Sequence, residues 1–340
     1  MATIKDVARL AGVGVGTASR VISGKGSFSQ DAAERVGLAV QQLGFRPSAT
    51  ARALSLRSTS TIGVFIPNFQ GPFYGPLLHA IDTELRQYDR HMVVANGCGH
   101  EDPRQQALDG ARFLIDRECD GIIITSNALK DVDFLALREQ FPHIAVVNRD
   151  VKGMKSQCFT VDHKAAGRLA AQALLDQGHK RIAVISGLSS AGDNKQRLQG
   201  FFDRLGEGGI EPSTVQVEEG EFTAGSGWAA VERLLAGKKR MTALFCANDQ
   251  MAMGALSCLQ HAGLSVPGDV SVVGYDDTDV AAFLSPRLTS VHIPIAEMGL
   301  NACRMLLNAC YDMNLKVSKE FMPTVSLRDS VGRAGAGSRQ

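Results

Sequence analysis

From Thr61 onward, short apolar runs alternate with amphipathic stretches, a rhythm few architectures accommodate. Strand-like runs fall at 61–66, 91–95, 121–125, 143–147, 181–186, 242–246 and 270–274. Helical patterns fill most of the gaps, for example around 76–88, 103–117, 164–177, 223–236 and 250–262. This βαβ order predicts parallel, doubly wound sheets. Residues 61–340 exceed the usual size of one such sheet, so the expectation is two lobes with a cleft between them.

The first sixty residues differ. They carry eight Lys/Arg against three Asp/Glu, a net of +5, while residues 61–340 carry 28 against 32, a net of −4. The overall charge of +1 therefore hides an asymmetry, and only the front of the chain is built to meet a polyanion. Thr3 is a suitable N-cap for a helix whose apolar side holds Ile4, Val7, Ala8 and Leu10, and Gly12 ends it. Residues 15–22 supply a second helix that turns Ala18, Val21 and Ile22 inward and leaves Val15, Gly16, Ser19 and Arg20 outside. Ser29 caps a third helix through Leu43, after which Pro47 blocks continuation and a short stretch, 49–55, precedes the first strand. By pattern alone that stretch reads equally as an interdomain linker. A compact basic helix–turn–helix is the expected footprint of a DNA reader, and by charge alone a protein or an acidic lipid remains an alternative partner.

Composition excludes several classes. At 340 residues and 44% apolar content the chain can bury sizeable cores in two or three domains. Cysteines 98, 119, 158, 246, 258, 303 and 310 are odd in number and free of CxxC spacing, which suits a reducing compartment. Lys5, Asp6 and Arg9 interrupt any secretory signal, and no apolar run is long enough to cross a bilayer, so a cytoplasmic protein is expected. His163 and His292 lack ligand-spaced partners, so no metal or other cofactor is expected. Gly12-Val-Gly-Val-Gly16 lacks dinucleotide spacing and follows a helix, and Gly24-Lys-Gly-Ser27 lacks the upstream glycine of a phosphate loop. No nucleophile elbow or paired acid and base appears, so no enzyme is expected.

Thr3-Ile-Lys-Asp-Val-Ala-Arg-Leu-Ala-Gly-Val13, followed by Thr17-Ala-Ser-Arg-Val-Ile22, resembles the N-terminal signature of the lactose/galactose repressor family. The similarity continues through Phe45-Arg-Pro-Ser-Ala-Thr-Ala-Arg-Ala-Leu54 and Ala247-Asn-Asp-Gln-Met-Ala-Met-Gly-Ala255 to Val272-Val-Gly-Tyr-Asp-Asp-Thr278. It spans nearly the whole chain, and the recognition helix and the Asn148-Arg149 segment look most like those of the galactose and β-glucoside repressors.

The resemblance implies an all-α helix–turn–helix DNA-binding domain joined to a two-lobed α/β domain like periplasmic sugar-binding proteins. The expected division is a headpiece at 1–46 and a hinge helix at 47–59. An N-terminal lobe would comprise 60–162 with 293–322, a C-terminal lobe 163–292 with 323–331, and a disordered tail 332–340. The chain would cross between lobes near 162, 292 and 322. On DNA, Val15, Gly16 and Arg20 would meet base edges, Thr17 and Ser19 would meet phosphates, and Thr3 joins this set. Ala51 would permit close approach while Leu54 wedges into the minor groove. The sequence departs from the family at Gly14, where a serine usually caps the helix, and at Gly16, which implies a softer recognition helix.

Loops at the carboxyl ends of the strands would face the cleft, and the resemblance places Arg197, Phe222, Asn248 and Asp276 against an effector. Phe73, Tyr74, Asn148 and Arg149 lie in effector-lining segments. Arg, Asn and Asp offer paired donors and acceptors for vicinal hydroxyls, and an aromatic face packs on sugar C–H groups. Asp249 is expected to cap the helix beginning at Gln250 rather than to touch ligand. The implied activity is a sequence-specific transcriptional repressor of a sugar-utilisation operon, controlled by a small sugar. It would act as a homodimer on a palindromic double-stranded operator, with no membrane involved. The alternatives are a sugar-binding protein of a transporter, or a corepressor-type regulator sensing a purine.

Overall fold

The computed structural model describes residues 2–24, 26–46, 58–97, 102–237 and 240–335. The chain forms two units, residues 1–61 with 118–120, and residues 62–117 with 121–340.

In the first unit Thr3 caps α1 (Ile4–Leu10) through a reciprocal box. Its hydroxyl accepts from the Asp6 amide, and the Asp6 carboxylate accepts from the Thr3 amide. Gly12 takes the left-handed conformation that turns the chain towards α2 (Val15–Ser23). Ser29 caps α3 (Gln30–Leu43) by accepting from the Ala32 amide at 3.2 Å. The three helices bury a core of small residues, with Val7, Ala8, Ala18 and Val36 at its centre. Arg35 of α3 donates to the Ala11 carbonyl at 3.0 Å and so ties the third helix to the end of the first. The segment after residue 57 is held by Asp120, whose carboxylate accepts from Ser58 Oγ at 2.8 Å and from the Thr59 amide at 3.0 Å. Most of the expected hinge helix, with Ala51 and Leu54, lies outside the described residues.

The second unit holds two sheets. The first contains β1 (Thr61–Ile66), β2 (His91–Asn96), β3 (Gly121–Ile124), β4 (Ile144–Val147) and β5 (Cys158–Phe159) in the order β2-β1-β3-β4-β5. The second contains β6 (Ile182–Ser186), β7 (Gln216–Glu219), β8 (Ala243–Cys246), β9 (Ser271–Asp276), β10 (Thr289–His292) and β11 (Thr324–Ser326) in the order β11-β10-β9-β8-β6-β7. Pairing is parallel from β1 through β3 and β4 to β5, and from β7 through β6, β8 and β9 to β10; β11 runs antiparallel to β10. Strand order reverses beside β1 and beside β6, so the loops leaving those strands diverge and open a crevice at their carboxyl ends.

Among the described residues, eight helices connect or cover these strands: α4 (Tyr74–Arg86), α5 (Pro103–Asp116), α6 (Asp131–Gln140), α7 (His163–Leu175), α8 (Gly192–Glu207), α9 (Ala224–Ala236), α10 (Asp249–His261) and α11 (Ile295–Tyr311). The chain leaves the first sheet after Phe159 and enters the second through α7. It then returns along α11, which packs on α4, β3 and β4, before ending in β11. Gly167 and Gly200 let α7 and α8 approach until a Cβ on either would overlap a backbone carbonyl of the other, that of Arg197 or Lys164. Among the described residues no helix is long and apolar enough to cross a membrane.

Two residues of the expected tail, Gly332 and Ala334, make backbone hydrogen bonds to the second unit. The Gly332 amide donates to Ser271 Oγ at 3.0 Å, and the Ala334 amide donates to the Gln177 carbonyl at 2.9 Å. Nε2 of buried His179 lies 3.0 Å from the Gly332 carbonyl, and a Cβ at Gly332 would press on Pro267.

Candidate functional site

On the headpiece, α2 has an inner face fixed by Ala18 and an outer face of Val15, Gly16, Ser19 and Arg20, all exposed, with Thr17 half-buried at the edge. Gly14 is the N-cap and supplies no side-chain bond, so the first turn is held by backbone alone. Arg20 folds along its own helix, with Nε donating to the Gly16 carbonyl at 3.2 Å and Nη1 to the Ser27 carbonyl at 3.3 Å. Both contacts are exposed. Thr3 is exposed at the start of α1, though its hydroxyl is engaged in the capping box.

In the second unit a cavity of about 320 Å³ lies at the carboxyl ends of both sheets. From the first lobe it takes Phe73 and Tyr74 at the start of α4 and Asn148 after β4. From the second it takes Arg197 of α8, Phe222 after β7, Asn248 after β8 and Asp276 at the end of β9. Seven of the eight expected effector residues are therefore together. Arg149 is the exception. Its guanidinium turns away to donate to the Leu129 carbonyl at 2.6 Å and to Asp131 at 2.9 Å, and it stacks on Phe134.

Arg197 organises the site. It is 3% exposed, and its Nη2 donates to Asp193, one helical turn earlier, at 2.9 Å. Its Nη1 donates to the Ala247 carbonyl, and the guanidinium lies 3.7 Å from the centre of the Tyr275 ring. The Tyr275 hydroxyl lies 2.8 Å from Nδ1 of His163 at the start of α7. Burial holds the His163 imidazole down to about 4, although Asp193 pulls the other way. Burial pushes the Asp276 carboxyl well above the usual carboxylate range; Arg197 opposes this, and Asp249 and Asp193 add to it. Arg197 Nε, Asp193 Oδ1 and Asn148 Oδ1 are buried without a protein partner, so three polar atoms around one cavity await hydrogen bonds from a ligand or water.

Asn248, not Asp249, caps α10: its Oδ1 accepts from the Met251 amide at 2.9 Å, while Nδ2 donates to the Phe222 carbonyl at 3.1 Å. Asp249 is the first helical residue. Its carboxylate accepts from the Thr278 amide at 2.7 Å and from Ser290 Oγ at 2.6 Å, so it stitches strand ends together. The sequence reasoning missed Asp193, although its spacing of four residues from Arg197 on one helix was a usable signal. Phe222 adopts a positive φ of 60°, and its ring rests over Gly187, where a Cβ would overlap it. Among the described residues no three His, Cys, Asp or Glu side chains are placed to hold a metal.

Residues 3–48 match the family model for bacterial regulatory proteins of the lacI family, and residues 171–331 match a periplasmic binding protein-like domain. The HTH-type transcriptional regulator GalR of Escherichia coli is 35% identical over 332 residues, covering 97% of this chain and 96% of that one. The chain belongs to the LacI family of bacterial regulatory proteins. Among solved structures, a LacI-family transcriptional regulator from Burkhoderia phymatum is 48% identical, with a TM-score of 0.79 over 81% of this chain and 100% of that one. The Lac repressor dimer bound to operator and an anti-inducer superposes with a TM-score of 0.84 at 27% identity, covering 97% of this chain and 99% of that one. As a LacI-family member the chain is a helix–turn–helix transcriptional regulator and not an enzyme. A transporter's sugar-binding protein, the main alternative from sequence, is not favoured because the regulatory domain is present.

Proposed function

We propose that this protein is a cytoplasmic, homodimeric repressor of a sugar-utilisation operon, released from a palindromic operator when a sugar or sugar derivative fills the cavity. One observation carries the reading. An exposed α2 face within a front segment of net charge +5, and a cavity with three unpartnered buried polar atoms, occur on a single chain. Val15, Gly16 and Arg20 read base edges while Thr3, Thr17 and Ser19 position the headpiece on phosphates. Ala51 and Leu54, in the hinge segment 47–59, meet the minor groove between the two recognition helices. The lobes divide as 60–162 with 293–322 and 163–292 with 323–331, and ligand draws them together. Arg197, Asp193, Asp276, Asn148 and Asn248 bind hydroxyls, while Phe73, Tyr74 and Phe222 supply apolar faces.

Ligand can shift the DNA-binding equilibrium only by its differential affinity for the two lobe arrangements. The test is a gel shift of the full chain on a selected palindrome, with sugars added. Release by at least one sugar supports the reading. DNA retention that does not require residues 1–60, or is indifferent to every sugar, removes it.

A further inference from the structure

We propose that His163 is a positioning residue for effector binding. Its neutral ring, protonated on Nε2, holds Arg197 through Tyr275 and holds Asn148 by the backbone carbonyl, so it sets the spacing between the two walls of the cavity. The proposal rests on the effector reading above and adds to it a residue that stands behind the cavity lining rather than in it.

His163 opens α7, where the chain passes from the first sheet to the second, and it is buried. On the second-lobe side its Nδ1 lies 2.8 Å from the hydroxyl of Tyr275, itself fully buried. The ring face of that tyrosine carries the Arg197 guanidinium, 3.7 Å from the ring centre. Fixing the hydroxyl fixes the ring plane. The plane in turn aims Arg197 Nε, which is buried without a protein partner. Asp193 and the Ala247 carbonyl hold the other two guanidinium nitrogens, so a tilt of Tyr275 would be felt at Nε.

On the first-lobe side the Asn148 carbonyl accepts from the same ring. Asn148 adopts a left-handed φ of 63°, uncommon outside glycine, and its amide donates to the Phe159 carbonyl at 2.8 Å. Held at both backbone groups, it keeps its unpartnered Oδ1 at the cavity wall. The bond directions select one tautomer. The Thr160 hydroxyl lies 3.4 Å from Nε2 and donates to the Val161 carbonyl at 3.4 Å, so towards Nε2 it can only accept. A carbonyl can only accept as well. Nε2 therefore carries the proton, and Nδ1 accepts from the Tyr275 hydroxyl. Burial disfavours a second proton, which would remove that acceptor.

The test uses the full-length chain. Nitrogen NMR of protein isotope-labelled at histidine and arginine should show His163 near neutral pH as the Nε2–H tautomer, and Arg197 Nε–H as a slowly exchanging signal. Tyr275→Phe keeps the ring under Arg197 and deletes only the hydroxyl, so it should move both signals. Calorimetry with galactose, glucose and their methyl β-glycosides then identifies the tightest-binding of these probes. His163→Leu should weaken that probe about tenfold, and Tyr275→Phe about threefold because it spares the Asn148 contact. The double variant should match His163→Leu alone rather than reach the roughly 30-fold loss of two independent effects. His163→Gln, whose amide can both donate and accept, should recover most of what His163→Leu loses. A His163 ring protonated on Nδ1, or an Arg197 signal unmoved by Tyr275→Phe, overturns the proposal and leaves the effector reading intact. So do independent losses in the double variant, or a Gln variant as weak as the Leu variant. If the parent binds none of these sugars, the effector reading falls and takes this proposal with it.

Discussion

The aromatic ring of Phe222 is seated on the bare Cα of Gly187, and the Gly187 amide and carbonyl are both clamped by the side chain of Asn194 at 3.2 and 3.1 Å. A strand-end glycine thus sets where one wall of the cavity stands. Gly187→Ala should push Phe222 aside and weaken sugar binding at least about tenfold, while operator affinity without sugar stays near that of the parent. Calorimetry with the tightest-binding sugar and a gel shift on the same preparation check both halves.

The recognition helix should be stiffened by filling open positions. Space beyond Gly16 is empty, so Gly16→Ala should stabilise the headpiece by about 0.5–1 kcal/mol. Gly14→Ser should add a few tenths of a kcal/mol by supplying the missing cap. Thermal melting of the headpiece transition, followed by circular dichroism, should rise for each variant and roughly sum in the pair.

Arg20 predicts a loss of discrimination rather than of binding. Arg20→Lys retains the charge but loses the planar fork, so the preference for operator over scrambled DNA should shrink by about 1–3 kcal/mol. Non-specific affinity and its salt dependence should hardly move. Fluorescence anisotropy on both duplexes at several salt concentrations separates the two effects; an unchanged preference would remove Arg20 from base readout.

Acid stability should carry the signature of His163. Its native pKa of about 4 lies below the ordinary value of 6.5, so the unfolded state binds more protons between those values. The contribution of His163 is therefore complete above about pH 6.5 and is lost as pH falls towards 4, by up to about 1.4 kcal/mol per pH unit. Asp249 works in the opposite sense. Burial raises it to about 6, so its stabilising protonated form is lost as pH rises from 3.8 through 6. Urea denaturation of the parent and of His163→Gln between pH 4 and 7 should show a shallower fall towards acid in the variant.

Much of the fold is written in the burial pattern. β1, β3, β4 and β8 are short apolar runs covered on both faces, and such runs stand out without any partner in view. Of the strands that escaped, three are marginal by the same criterion, whereas β10 is buried along three of its four residues but reads as a mostly polar run, Thr-Ser-Val-His. β7 alternates half-buried and exposed residues at a sheet edge, β5 has two residues, and β11 has three. The helix α6 carries little amphipathic signal, and its concealment explains the misplaced arginine. Arg149 points to Asp131, the first residue of that helix, so its direction depended on an element the periodicity does not reveal. The capping role fell to Asn248 rather than Asp249 for a related reason, since two adjacent polar residues at a helix start compete for one capping geometry.

The uneven distribution of charge across the cleft sets an order of events. A polyol arriving at an open clamshell finds strong polar partners on the half that bears Arg197 and Asp193, and mostly ring faces and amides on the half that bears Phe73. On the proposed reading the half bearing Arg197 is therefore where a polyol is anchored, and the facing rings and amides add contacts to a ligand already in place.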